Sequence, residues 1–126
     1  MEETLIAILL ADTALKSLVG SRIRPVERPQ TDALPGVTIQ RIDGVRDYHF
    51  SGPSGFVSSR IQIDCWGKSY SEAKQISRAI VRILSGIRAP FQGGFVVDES
   101  DNSEQADTHR VFRTRLDFQL FHNEAL

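Results

Sequence analysis

Arg60-Ile61-Gln62-Ile63-Asp64-Cys65-Trp66-Gly67-Lys68-Ser69-Tyr70-Ser71-Glu72-Ala73 joins an alternating segment to a helical one. Side chains of an extended chain alternate between faces. Ile61, Ile63 and Cys65, with Val57 before them, therefore share one face, while Arg60, Gln62, Asp64 and Trp66 share the other. Ser69, followed three residues later by Glu72, makes a capping box that sets chemically where the next helix begins. A strand with one apolar face that runs into a capped helix decides the architecture: a sheet with helices laid on its apolar side.

Working outward, Ala73, Ile76, Ile80, Ile83, Leu84 and Ile87 recur at the helical period and predict a helix over Tyr70 to Ser85, ended by Gly86. Lys74, Arg78 and Arg82 lie off that stripe. Toward the N-terminus, Leu5, Ile6, Leu9, Leu10, Leu15, Leu18 and Val19 predict helix from Thr4 to Val19. Asp12-Thr13 interrupts it, which suggests two short pieces with Asp12 capping the second and Gly20 as a left-handed terminator. Ser21 to Glu27 reads as a short extended segment, kept out of a central ladder by Pro25 and Pro29. Gln30 to Gly36 reads as a loop, and Val37 to Val45 as a strand with Val37 and Ile39 facing the core. Ser51-Gly52-Pro53-Ser54-Gly55 is a turn signal within a long hairpin loop, Arg46 to Gly55, before the strand Phe56 to Trp66.

Phe91 to Asp98 holds a short strand around Phe95-Val96-Val97, and Glu99 to Asp107 is expected to be a mobile polar loop. Arg110 to Phe121 is the last strand. Phe112, Leu116, Phe118 and Leu120 take one face; Arg113, Arg115, Asp117 and Gln119 take the other. The order helix, strands, helix, strands predicts one α+β domain over residues 1–126: a mostly antiparallel sheet with two helices on one face. Its core should unite Ile61, Ile63, Ile76, Ile80, Ile83, Leu116 and Phe118.

Composition narrows the function classes. A formal net charge of -1 on 126 residues provides no global attraction to nucleic acid or anionic membrane. The longest apolar run, Leu5 to Ala11, is too short to span a bilayer. Met1-Glu2-Glu3 does not read as a signal peptide. The lone Cys65 excludes an intrachain disulfide and reads as a buried strand residue in a reducing cytoplasm. His49, His109 and His122 fall in or beside loops or the tail, without a second ligand at metal spacing. There is no nucleophile elbow and no phosphate loop, and Asp98-Glu99-Ser100-Asp101-Asn102 lacks the glycine and terminal glutamate of a calcium loop. No catalytic residue, cofactor site or metal site is expected.

The unusual feature is the polar side of the sheet. Arg60, Asp64, Trp66, Arg113, Arg115 and Asp117, joined by Arg41 from the preceding strand, form a candidate interface. Antiparallel sheets often leave such a face to solvent. Arginines suited to bidentate contacts beside a tryptophan also fit a surface that meets other copies or partners. Tyr48, His49 and Phe50, with Asp98, Glu99 and Asp101, are expected in partner-facing loops.

Through Ala11-Asp12, Leu18-Val19-Gly20, Arg22-Ile23, Leu34-Pro35-Gly36-Val37, Arg60 to Trp66, Ser69 to Ala73 and Arg115-Leu116-Asp117-Phe118, the chain resembles the small tail-completion or tail-terminator proteins of long-tailed bacteriophages, prophages and gene-transfer particles. The resemblance implies a structural role in the virion tail or neck, assembled in the bacterial host cytoplasm. It implies a homo-oligomeric ring, commonly a hexamer, on the head-proximal end of the tail tube. The ring stops tube growth and joins the head connector or head-closure protein, and genomic DNA passes through its lumen without specific binding. Within the resemblance the alternative is another neck or tail-tube component; from the residues alone it is a small enzyme or ligand-binding domain, for which no converging polar pocket can be assembled.

Overall fold

The structure, a computed structural model, describes residues 2–25, 34–88, 91–106 and 109–123. Its elements run α1 Glu2–Ala11, α2 Thr13–Val19, β1 Ile23–Pro25, β2 Gly36–His49, β3 Gly52–Gly67, α3 Tyr70–Leu84, β4 Gly93–Ala106 and β5 His109–Asn123. Of the segments read from sequence, residues 30–33 of the loop before β2, together with Pro29 and Asp107, lie outside the described residues.

The five strands form one sheet in the order β1-β2-β3-β5-β4. Only β1 and β2 run parallel; every other pair is antiparallel. The register aligns apolar rows across the sheet: Ile39 with Ile63, Ile63 with Leu116, and Ile61 with Phe118. The helices cover this face alone. Leu5 and Leu9 of α1, Leu15 and Val19 of α2, and Ile76, Ile80 and Leu84 of α3 are fully buried against it, with Ile83 partly buried at the margin. Each such burial contributes about 1.5–3 kcal/mol. The expected α+β architecture is present, with the first helix in two pieces.

The caps explain the element boundaries. Asp12 interrupts the first helix because its carboxylate accepts the Leu15 N–H at 2.9 Å, capping α2. The same carboxylate accepts from Arg82 of α3 at 3.1 Å, which ties α2 to α3. The Leu15 N–H, followed by Arg82, holds Asp12 below the ordinary carboxylate range. Gly20, with φ of 62°, closes α2 by donating its N–H to the Lys16 carbonyl. At α3, Ser69 Oγ accepts the Glu72 N–H at 3.2 Å, and the Glu72 carboxylate reaches back to the Lys68 N–H at 2.8 Å. Gly67 makes this turn fit: a Cβ there would lie 2.8 Å from the Ala73 nitrogen.

Both hairpins are longer than the sequence suggests. β2 and β3 pair as far as Tyr48 with Pro53 and His49 with Gly52, so the expected long loop is a tight turn at Phe50-Ser51. Gly52 and Gly55 continue the strand with φ of 131° and 89°, a conformation that favours glycine. Because Phe56 already pairs with Asn123, the last residue of β5, the hairpin beyond it is a two-stranded ribbon. Glu99 to Ala106 is likewise strand and not a mobile loop, since β5 offers a continuous ladder down to His109. The segment's polar composition fits an exposed edge strand, Glu99 to Ser103 being exposed. Past the pairing of Gly67 with Phe112, β4 and β5 too continue as a two-stranded ribbon. The two ribbons leave the sheet at opposite ends.

Candidate functional site: the open face of the sheet

Among the described residues every helix lies on one side, and the other side of the sheet is bare and carries the alternate residues of each strand. Here the register converts the sequence pattern into contacts. Arg60 of β3 reaches diagonally to Asp117 of β5, Nη2 to Oδ2 at 2.8 Å, and Arg115 approaches the same carboxylate along its own strand at 3.5 Å. The Asp117 side chain is only 2% exposed, whereas that of Arg60 is 37% exposed. Burial alone would raise the Asp117 pKa, but the guanidinium groups of Arg60 and Arg115 outweigh it and hold the carboxyl below its usual range.

Asp64 behaves in the opposite way. It is buried opposite Arg115, and Gln62 Nε2 donates to its Oδ2 at 3.0 Å. Its Oδ1 has no hydrogen-bond partner among the described residues. Burial therefore raises its pKa, and the hydrogen bond from Gln62 with the charges of Arg113 and Arg115 offset this only in part. Trp66 is fixed by donating Nε1–H to Thr38 Oγ1 at 3.1 Å, and Arg113 lies over its ring, 5.3 Å from the centroid. Gln119 donates to Ser58 Oγ in the next row.

Six of the seven expected interface residues thus share one face: Arg60, Asp64, Trp66, Arg113, Arg115 and Asp117. Arg41 does not. It pairs directly with Ile61, so it lies on the opposite face, beyond the reach of the helices and exposed. The acidic residues expected in loops are on β4. Glu99 and Asp101 hold Lys74 of α3 at 3.3 and 3.0 Å, and Asp101 also accepts from Thr114 at 2.9 Å. Asp101, the stronger partner, raises the Lys74 pKa. Asp98 uses its carboxylate to accept the Glu99 N–H. Tyr48 and His49 end β2, and Phe50 stands fully exposed at the turn.

Sequence reading missed an aromatic cluster at the other end of the open face. Phe56 stacks on Phe121 with centroids 5.9 Å apart, and Phe95 lies 6.0 Å from Phe121 on its other flank. The signal was parity: Phe121 continues the odd-numbered series of Arg113, Arg115, Asp117 and Gln119. His122, expected in or beside a loop or the tail, is buried within β5, beside Ser59 Oγ at 3.3 Å and edge-on to Phe91. Cys65 is fully buried, and burial pushes its thiol far up. Among the described residues, no three His, Cys, Asp or Glu side chains gather as a metal site, and no helix is long and apolar enough to cross a membrane. The open face thus sets guanidinium groups over shielded carboxylates, flanked by aromatic surface.

The sequence profile of a family described as tail completion protein gp17 matches residues 3–123. Among solved structures, the chain is similar to one in the virion of a native gene transfer agent particle, with a TM-score of 0.72 and 18% identity, covering 94% of this chain and 90% of that one. That likeness establishes a shared fold. No curated protein matches the sequence.

Proposed function

This chain belongs to the family of tail completion protein gp17, and from that premise we propose that it closes the head-proximal end of a tail tube as a ring. The ring, a hexamer in this reading, stops tube growth and provides the surface to which the head connector or head-closure protein attaches. The observation that carries the proposal is the family match, which extends over nearly the whole chain. The role is structural and not catalytic.

The geometry supports this reading in three ways. The open face offers charged and aromatic groups already held in place by neighbours, so little ordering is needed on docking. Two ribbons at opposite ends of the sheet provide separate contact surfaces for the tube on one side and the head on the other. A net charge of -1, with arginines matched by carboxylates, suits a lumen that genomic DNA must traverse without being gripped.

Disruption of the gene in a producing strain, followed by electron microscopy, tests the proposal. Tails of irregular length and unattached heads are expected, both restored by the gene supplied in trans. Normal tails joined to heads would overturn it. Purified protein should stop at a discrete ring mass; open-ended tubes would identify a tube subunit instead.

A further inference from the structure

We propose that copies of this chain join edge to edge, with β4 of one copy adding to β2 of the next. The ring reading above enters only in treating the array as closed. Both strands have a bare outer edge. β1 covers β2 only at Val37, Thr38 and Ile39, and among the described residues no strand pairs with the outer side of Gln40–His49. β4 is the terminal strand on the other side. Neither exposed stretch carries lysine or proline, residues that commonly blunt such edges.

The directions and heights of the two edges match. β2 and β5 run one way, and β3 and β4 the other. Rotation about a ring axis parallel to the strands preserves those directions. β4 therefore meets the neighbour's β2 antiparallel, and the open face stays on the same side all round. The rows Arg41–Ile61–Phe118–Val96 and Asp43–Arg60–Gln119–Phe95 cross the whole sheet. Each edge has a bulge at this height, at Ile42 in β2 and at Val97 in β4. These two apolar side chains are 47% and 44% exposed. In a flat ring they flank the Arg41–Ile61–Phe118–Val96 row on either side, one residue rise apart, about 3.3 Å.

Charge agrees on the helix-side face. Arg41 precedes Ile42 and Asp43 follows it, while Asp98 and Glu99 follow Val97; Arg41 and Glu99 share the helix-side face, and β4 carries no basic residue. Part of the β4 edge is occupied within the subunit. Gly86 donates to the Gly94 carbonyl, and Asp98 and Asn102 side chains accept the Glu99 and Ser103 N–H groups at 2.9 and 2.8 Å. Addition therefore starts beyond Gly94, and these two side chains hold the place of the incoming strand and release as it docks.

Cysteines at both positions, I42C/V97C, test the register. The native Cys65 is fully buried and stays silent. Mild oxidation of the assembled double variant should give a ladder of covalent multimers ending at the ring number, whereas I42C or V97C alone should give none. V97K, which leaves an unpaired charge at the joint, should weaken assembly about tenfold or more, and I42E/V97K should recover it. Rings of normal mass in the double-cysteine variant without a disulfide ladder would overturn edge pairing and leave the ring reading intact. A wild-type protein that stays monomeric in solution and in particles would overturn both.

Discussion

Arg60 and Asp117 lie 2.8 Å apart across two neighbouring strands, with the cation at the surface and the carboxylate almost wholly shielded. The asymmetry makes the two residues unequal. Arg60→Ala leaves a shielded carboxylate with only the longer contact to Arg115, and should destabilise the fold. Because Asp117 has its pKa lowered on folding, its contribution is full above the unfolded carboxylate range and is lost as pH falls through the lowered value. In Arg60→Ala the loss should begin at higher pH. Urea unfolding between neutral and acid pH measures it; superimposable profiles would show that Arg115 suffices.

Asp64 should show the opposite sign. Its folded pKa is raised, so ionisation at neutral pH opposes folding. The cost is absent below the unfolded pKa and grows as pH rises toward the folded one. Asp64→Asn should therefore be neutral or stabilising at pH 7, and should flatten the pH dependence. A clear loss of stability at pH 7 would mean that the carboxylate is needed by Arg113 or Arg115.

Gly67→Ala should destabilise by about 1–3 kcal/mol, because the added methyl meets backbone atoms of α3 and not a flexible side chain. Thermal unfolding checks this. Gly86→Ala, where a Cβ has open space, isolates the cost of a positive φ without a clash.

Ile80→Ala should cost about 2–5 kcal/mol, the usual range for emptying a fully buried aliphatic site. A cost below about 0.5 kcal/mol would mean that the α3 face collapses to fill the space.

Amides of β4 that pair with β5 should exchange slowly even in the isolated subunit, out to Asn102, where the ladder is backed by Lys74. Lys74→Met should speed exchange around Glu99 and Asp101 while the β3–β5 ladder stays protected. Uniformly fast exchange of β4 in the native protein would show that this strand forms only on assembly.

Much of the fold was legible because periodicity and caps agree. Ile61, Ile63 and Cys65 alternate, Ile76 and Ile80 keep the helical spacing, and Ser69 with Glu72 and Asp12 with Leu15 mark the helix starts. The segment Glu99 to Ala106 was not legible. Its polar composition is that of a loop, and its strand state comes from pairing with β5, a tertiary effect that no local pattern records. The tight turn at Phe50-Ser51 was obscured for a related reason: the glycines at 52 and 55 signal bends that the ribbon absorbs as strand. Of the open face, the side on which each residue lies followed from alternation in β3 and β5. Arg41 was legible by the same rule: it alternates in step with Val37 and Ile39, which puts it on their face, and the register sets it opposite Ile61.

The two ribbons have a consequence for orientation. One is tipped by Phe50, with Tyr48 beside it; the other, in β4, carries Asp101, Asn102 and Ser103 toward its end. A cyclic array of such subunits can be rotated into itself but never turned over. Its upper and lower rims differ in chemistry, one aromatic and one polar, so a cap built this way has a built-in up and down. Each neighbouring component then needs to recognise only one rim for the whole stack to be laid down in a single sense.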